Sequence, residues 1–366
     1  MTRPHGKILN KNYRIRLRPK NSSGIILIVV LWILVILSLL AIGFSRKVNV
    51  NLALTKYAIG KMRSRYIAMA GLMYAIDQIK QDSEDAKTNI LDTKYQCGFS
   101  LQENQTVENL FKKKGVGGGS FTIGYSLLDQ DRKTHYGLED EESKVNLNGL
   151  NTGNYKILQY LLDELGFENS SVTIASSVVD WLDADKEVFN IVGAEDEEYQ
   201  SRGIPYQSKN KPFDNLEELL LVKGMTPEIF KRIRDYITVF PRQDNMAINL
   251  DTASEVVLKA LARSITGQTN TAIEDTDRLV ERLVTYRRGE DGLWGTSDDR
   301  VIDGNTMGLN AVENTIFQAM SYSRTRTSRF LRIHVKGIDE ASLASTDIET
   351  VVDRGDLSFM YWHRDS

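Results

Sequence analysis

Residues 25–44 read IILIVVLWILVILSLLAIGF, twenty consecutive positions without a charge. As a helix rising about 1.5 Å per residue, this stretch is about 30 Å long, the thickness of a bilayer's hydrocarbon core. A soluble helix that is apolar all round would need burial on every side. The flank points to a membrane instead. Residues 1–23 contain Arg3, Lys7, Lys11, Arg14, Arg16, Arg18 and Lys20 and no Asp or Glu. A basic arm of this kind stays in the cytoplasm. Arg46, Lys47, Lys56, Lys61, Arg63 and Arg65 follow the span, so charge alone does not decide its orientation. A long C-terminal domain nevertheless translocates regardless of such charges.

The rest of the composition mainly excludes. The chain of 366 residues, 41% hydrophobic and 26% charged, holds 46 Lys+Arg against 49 Asp+Glu, a net charge of −3. That balance fits neither a histone-like binder nor a disordered acidic chain. The single cysteine, Cys97, excludes an intramolecular disulfide framework and any CxxC metal site, and nothing adjacent activates its thiol. The four histidines form no HxxxH pair, which argues against a His-built zinc site.

A secretory signal would have an apolar core of about 7–15 residues and a small-residue cleavage site after it; here the run is longer and no AxA follows. A basic leader, then Gly24, then an apolar helix is the arrangement that prepilin peptidases read. This part of the chain resembles type IV pilins and type II secretion pseudopilins, which implies cleavage between Gly24 and Ile25. The fifth mature residue is then Val29. Most pilin-like proteins have Glu there, and its carboxylate is thought to pair with a neighbouring subunit's N-terminal ammonium inside the membrane, where an unpaired charge is costly. Val29 leaves two readings: the chain is not a pilin, or it is the pseudopilin that needs no subunit above it.

Leu52, Leu54, Tyr57, Ala58, Met62, Tyr66, Met69, Ala70, Met73 and Ile76 continue a helical spacing, with no Pro from 45 to 82, so one helix is expected over about 25–82. Residues 115–119 (GVGGG) lack the Lys-Ser/Thr of a phosphate loop and read as a flexible turn. Alternation predicts strands at 120–130, 330–336, 348–352 and 357–362 in one antiparallel sheet against the N-terminal helix. Helical spacing marks 154–164, 170–181, 216–223, 227–239, 253–262 and 273–288. The expected fold is α+β: a long N-terminal transmembrane helix packed on an antiparallel, pilin-like sheet, with a large α-helical insertion containing a helix-hairpin-helix or SAM-like unit. The expected segments are a leader at 1–24, the helix at 25–82 with its span at 25–44, a first pilin-like part at 83–150, the insertion at 151–320 and the rest of the sheet at 321–366.

Four strings stand out: DEESKVNLN at 140–148, DWLDADKEVFNIVGAEDEEY at 180–199 with Pro205, Tyr206 and Asn210 after it, LEELLLVKGMT at 216–226, and INLDTASEVVL at 248–258. In this order they resemble the minor pseudopilin K family of the type II secretion system, over most of residues 20–362. That family also lacks Glu at the position of Val29.

The third string has its own reading. Leu219, Val222, Gly224 and Met225 before a helix-forming segment resemble a helix-hairpin-helix, which can present backbone N–H groups and Lys223, Lys231, Arg232 or Arg234 to phosphate. A membrane-anchored periplasmic DNA-binding protein is therefore the alternative function. Glu217, Glu218 and the acids at 195–198 set up a field that repels phosphate, so a protein-packing hairpin is preferred and no nucleic acid is expected. Asn146 and Asn249 suit local capping and turn hydrogen bonds.

Asp180, Asp183, Asp185, Glu187, Glu195, Asp196, Glu197 and Glu198 fall within nineteen residues, against Lys186 as the one base. Paired acids serve glycosidases, but no His lies near them and no nucleophile–base set or cofactor fingerprint is visible. No enzyme activity is expected. A hard cation suits them: calcium takes about six to eight oxygens from carboxylates, carbonyls and water. The candidate ligands are Asp183, Asp185, Glu195 and Asp196. GEDGLWGTSDDRVID at 289–303 is a second candidate, through Asp291, Asp298 and Asp299 and the carbonyls of Leu293 and Gly295. A solvated acidic loop is the competing reading of both.

The resemblance implies a single-pass inner-membrane protein with its C-terminal domain in the periplasm, at the tip of the pseudopilus. It also implies a methylated Ile25 and, as partners, minor pseudopilins I and J, the prepilin peptidase and the inner-membrane secretion platform. Loss of residues 1–24 would leave 39 basic against 49 acidic residues, a net charge of −10.

Overall fold

The computed structural model describes residues 23–84, 106–126, 134–201, 203–242, 246–292, 298–325 and 327–365. The leader's basic residues and Cys97 lie outside them. Helix α1 runs Ser23–Glu84, and the chain divides into two compact units at Ala58 and Ile59. In the first unit residues 25–44 are exposed throughout. Among the described residues, α1 is the one helix long and apolar enough to cross a membrane.

The second unit begins with α1 from Ile59, followed by α2 (Val107–Phe111), whose first turn is capped by Thr106 accepting from Asn109 N. Strands β1 (Lys114–Val116), β2 (Gly119–Ser126), β3 (Thr134–Tyr136) and β4 (Glu139–Asp140) come next. Between β1 and β2 only Gly117 and Gly118 form the turn, at φ 56° and 81°. Positive φ at both central residues is what a tight antiparallel hairpin demands, so the glycine run is a defined turn rather than a loose one. A two-residue strand β5 (Val145–Asn146) leads to helices α3 (Lys156–Glu164), α4 (Glu168–Leu182), α5 (Asp196–Gln200) and α6 (Pro227–Ile233), then strands β6 (Ile237–Thr238) and β7 (Ile248–Asn249). Helices α7 (Glu255–Ser264), α8 (Thr266–Thr269), α9 (Ile273–Arg287) and α10 (Ala311–Ala319) precede β8 (Arg324–Thr325), β9 (Phe330–Asp339), β10 (Ser345–Asp353) and β11 (Phe359–Asp365). The main sheet has the order β1-β2-β9-β10-β11, antiparallel at every step. The fold is α+β.

Two cores result. Ile67, Ala68, Leu72, Ala75 and Ile79 of α1 meet Phe121, Ile123, Leu331, Ile333, Val335, Ile348 and Val352 of the sheet. The second gathers the inner faces of α3, α4, α7 and α9 with Trp181, Tyr199 and Phe213. The face of α1 against the sheet differs from the one suggested by the spacing of large residues. Met62, Tyr66 and Met73 are exposed, and the buried side mixes Ile67, Leu72 and Ile79 with the small residues Ser64, Ala68, Gly71 and Ala75. Close approach explains this. A Cβ added to Gly337 of β9 would lie 2.4 Å from Ala68 N and 2.5 Å from Ser64 O, so helix backbone and sheet backbone touch there, and only small residues fit at that crossing.

Other boundaries also shift. Residues 216–221 form a 3-10 segment closed by a capping box between Asn215 and Glu218. The helix expected through 239 stops at Ile233, because the β-branched Ile237 and Thr238 pair in parallel with Val145 and Asn146 instead. The last strand begins at Phe359 because Leu357 sits at φ 59° in the preceding turn.

Candidate metal centre

Helix α4 delivers Asp180 fully buried in its last turn. Its carboxylate accepts from Phe189 N at 2.9 Å and Ala194 N at 2.6 Å, folding the loop back on the helix. Only glycine fits between: a Cβ on Gly193 would lie 2.0 Å from Asp180 Oδ2. Burial pushes the Asp180 carboxyl up to about 6, against the pull of those two N–H donors. Its role is to shape the loop.

The closed loop brings together Asp183, Asp185 and Glu195, with one carboxylate oxygen of each within 4.8 Å of the others. Glu195 is 5% exposed, and neither of its oxygens has a hydrogen-bond partner among the described residues. Asp183 Oδ1 and Asn210 Oδ1 are likewise buried and unpartnered. Burial, then the charges of Asp180, Asp183, Asp196 and Asp185, pushes the Glu195 carboxyl up to about 7. Like charges about 4 Å apart repel by several kcal/mol near a protein surface, and either a proton on Glu195 or a cation would relieve three carboxylates this close. The donors are all oxygens, which fits calcium and not a thiolate- or imidazole-seeking metal. Asp185 also accepts from Glu187 N at 2.8 Å, which holds the turn.

The fourth candidate acid lies beside this group. Asp196 accepts from Ser208 N at 2.9 Å and faces Lys186 Nζ at 3.4 Å. Asn210, at φ 48°, is a further oxygen that could serve a cation here; its amide nitrogen stands 3.5 Å from the Asp185 carbonyl. A neutral amide fifteen residues from the nearest ligand carries no charge pattern to reveal it.

In the second candidate segment, Asp298 Oδ2 accepts from Glu290 N at 2.6 Å and Asp291 N at 3.1 Å, and Gly289 and Gly292 both turn at φ 69°. Leu293 and Gly295 lie outside the described residues. Among the described residues, Asp291, Asp298 and Asp299 form no three-carboxylate group like the first. The hairpin lysine Lys223 donates to Gly193 O at 3.1 Å and faces Glu198 Oε2 at 3.5 Å. It is engaged with the acidic loop rather than presented to a phosphate.

The remaining strings tie the helical region to the sheet. Asp140 Oδ2 accepts from Thr252 Oγ1 at 2.5 Å and Ser328 Oγ at 2.6 Å. Asn148 donates to Phe213 O and Val239 O and accepts from Phe213 N at 2.7 Å. Asn249 donates to Ser328 Oγ at 2.9 Å, and Asp251 accepts from Ile302 N at 2.5 Å.

A family model described as type II secretion system (T2SS), protein K matches residues 143–242. The type II secretion system protein K of Pseudomonas aeruginosa is 28% identical over 158 residues, 41% of this chain and 46% of that protein. The Pectobacterium carotovorum protein K is 33% identical over 101 residues, 27% of this chain and 30% of that protein. The Klebsiella pneumoniae protein K is 23% identical over 240 residues, 63% of this chain and 66% of that protein. Each match thus spans less than two thirds of the relative. In three dimensions the chain resembles one in the crystal structure of the GspK-GspI-GspJ complex from the enterotoxigenic Escherichia coli type 2 secretion system, with a TM-score of 0.58 and 15% identity, covering 85% of this chain and 99% of that one. Residues 143–242 thus match the type II secretion system protein K family, and the chain as a whole shares the fold of a chain in that complex.

Proposed function

We propose that this chain is a minor pseudopilin at the tip of the type II secretion pseudopilus, where it initiates assembly with minor pseudopilins I and J. The reading rests on one conjunction: a protein K domain at 143–242 and an exposed apolar helix at 25–44 that has valine at position 29. The helix stores the subunit in the inner membrane, with the C-terminal part in the periplasm. Val29 removes the carboxylate that would engage a subunit above. The exposed Met62, Tyr66 and Met73 offer a face for subunits beside or below. The partnership with I and J is supported by the complex in which the similar fold was solved.

Maturation follows from the same reading. The prepilin peptidase removes residues 1–24, and Ile25 becomes the methylated N-terminus. N-terminal sequencing of the membrane form should give Ile25 when the peptidase is present and a start upstream of Ile25 when it is absent. An unprocessed N-terminus in cells that process other pseudopilins would refute the assignment.

Calcium is the cation proposed for Asp183, Asp185, Glu195 and Asn210, and it braces the acidic loop. A ligand that binds only the native state stabilises it by about 2.7 kcal/mol at one hundred times its Kd. Excess calcium should therefore raise the melting temperature over that in chelator, and Glu195→Gln should remove most of the rise. Identical melts with calcium and with chelator would remove the metal from the account.

A further inference from the structure

The face of the sheet turned away from α1 brings together residues that are remote in sequence. Glu349 of β10 lies directly opposite His334 of β9 on one side and His363 of β11 on the other. His334 alternates with Ile333 and Val335, and Glu349 follows Ile348; these three apolar residues face the α1 core. His363 shares the outer face as the direct cross-strand partner of Glu349. We propose that His334, Glu349 and His363 form a binding site for a divalent transition-metal ion of the zinc class.

The register supplies the geometry. Neighbouring strands are about 4.8 Å apart, so the two histidines flank the carboxylate at roughly equal distances. An imidazole nitrogen and a metal–nitrogen bond of about 2.0–2.1 Å together span one such interval. His334 is already oriented for this. Its Nε2 lies 3.4 Å from Glu139 Oε2, and its Nδ1 faces Glu349 Oε2 at 3.9 Å. Glu139 is itself buried and held by Lys144 Nζ at 2.8 Å. A carboxylate behind one ring nitrogen, with the other directed at the metal, is the usual outer-shell support of a metal-bound histidine. Glu349 keeps one oxygen on the Arg332 guanidinium, and the other faces His334.

His363 is the ligand that must turn to join the other two. Its side chain is 53% exposed, and Nε2 rests 2.9 Å from Asp365 Oδ1. Metal binding would require its imidazole to leave Asp365 and turn toward Glu349, its neighbour across the strands. An open groove of about 480 Å³ lies above the row, walled by Thr122 and Gly124 and by the larger Tyr136 and Lys336. Two imidazoles and one carboxylate select zinc, copper or nickel over calcium, which separates this site from the oxygen-only loop around Glu195. Bound metal would clamp β9, β10 and the edge strand β11 together. Histidine spacing along the chain does not show this site, because pairing across strands creates it.

The test uses the full chain in detergent, with calcium present to occupy the acidic loop. Titration with zinc chloride should show one ion bound per chain. His334→Ala and His363→Ala should each weaken binding by about tenfold or more, while Glu340→Gln, at an exposed acid past the far end of β9, should leave it unchanged. Loading with copper(II) should give an electron paramagnetic resonance spectrum with two coordinated nitrogens in the wild type. The spectrum decides the matter even if a variant folds poorly. Absence of zinc binding, undiminished binding in the double variant His334→Ala/His363→Ala, or a copper spectrum with oxygen ligands only would overturn the proposal.

Discussion

Gly337→Ala should destabilise the folded chain by about 3 kcal/mol, the upper part of the range for overpacking a dense core. The added methyl would sit 2.4 Å from Ala68 N and 2.5 Å from Ser64 O. Both are backbone atoms of a regular helix, and neither can swing aside. Relief requires α1 to lift from the sheet, which loosens Leu72 and Ile79 from Phe121 and Ile123. Two other tight glycines of this layer, Gly60 and Gly71, are more forgiving. A Cβ on Gly60 meets the side chain of Ser342, and one on Gly71 meets the side chains of Val335 and Phe121, which can repack in part. Gly115→Ala is the control, since nothing lies within 4 Å of its added carbon. Urea unfolding of the three proteins checks this. A Gly337→Ala variant as stable as Gly115→Ala would mean that helix and sheet do not approach as described.

Glu141→Gln should cost a similar amount, about 3–5 kcal/mol at neutral pH, the usual penalty for breaking one side of a buried ionic group. Glu141 is fully buried between Arg332, Lys144 and the Thr238 hydroxyl. Burial alone would raise its carboxyl, but Arg332 and then Lys144 outweigh that and hold it below the usual carboxylate range. The sign of the pH dependence follows. A group whose folded pKa is depressed contributes its stability above the unfolded value, about 4.3, and loses it as pH falls through the folded value. The gap between wild type and Glu141→Gln should therefore be widest near pH 7 and narrow below about pH 4. Denaturation curves across that range measure it; a gap independent of pH would show that the charge of Glu141 is not what holds Arg332 and Lys144.

What could be read from the residues alone divides along a physical line. The apolar span and the sheet were legible because they depend on period and length: residues 25–44 and the alternation at 330–336 need no knowledge of partners. The buried face of α1 was not, because apolar spacing points to Met62, Tyr66 and Met73, while backbone contact with Gly337 selects Ser64 and Ala68. Ile237 and Thr238 look helical by position and become a strand only because Val145 and Asn146 arrive beside them. At the candidate metal centre, acid density located the loop. It could not separate Glu195, which turns inward, from Asp196 next to it, which is taken by Ser208 and Lys186. DEESKVNLN was recognisable as a string, yet its use lies in distant partners such as Phe213, Thr252 and Ser328.

Asp180 has a consequence for how the acidic loop meets its ion. Its hydrogen bonds to Phe189 and Ala194 close the loop from within, and Gly193 lets that closure fit. An arriving cation therefore finds ligands already converged and need not order a flexible segment first. Preorganisation of this kind leaves more of the coordination energy to appear as affinity. If calcium binds there as proposed, its exchange would not require the loop to fold and unfold each time.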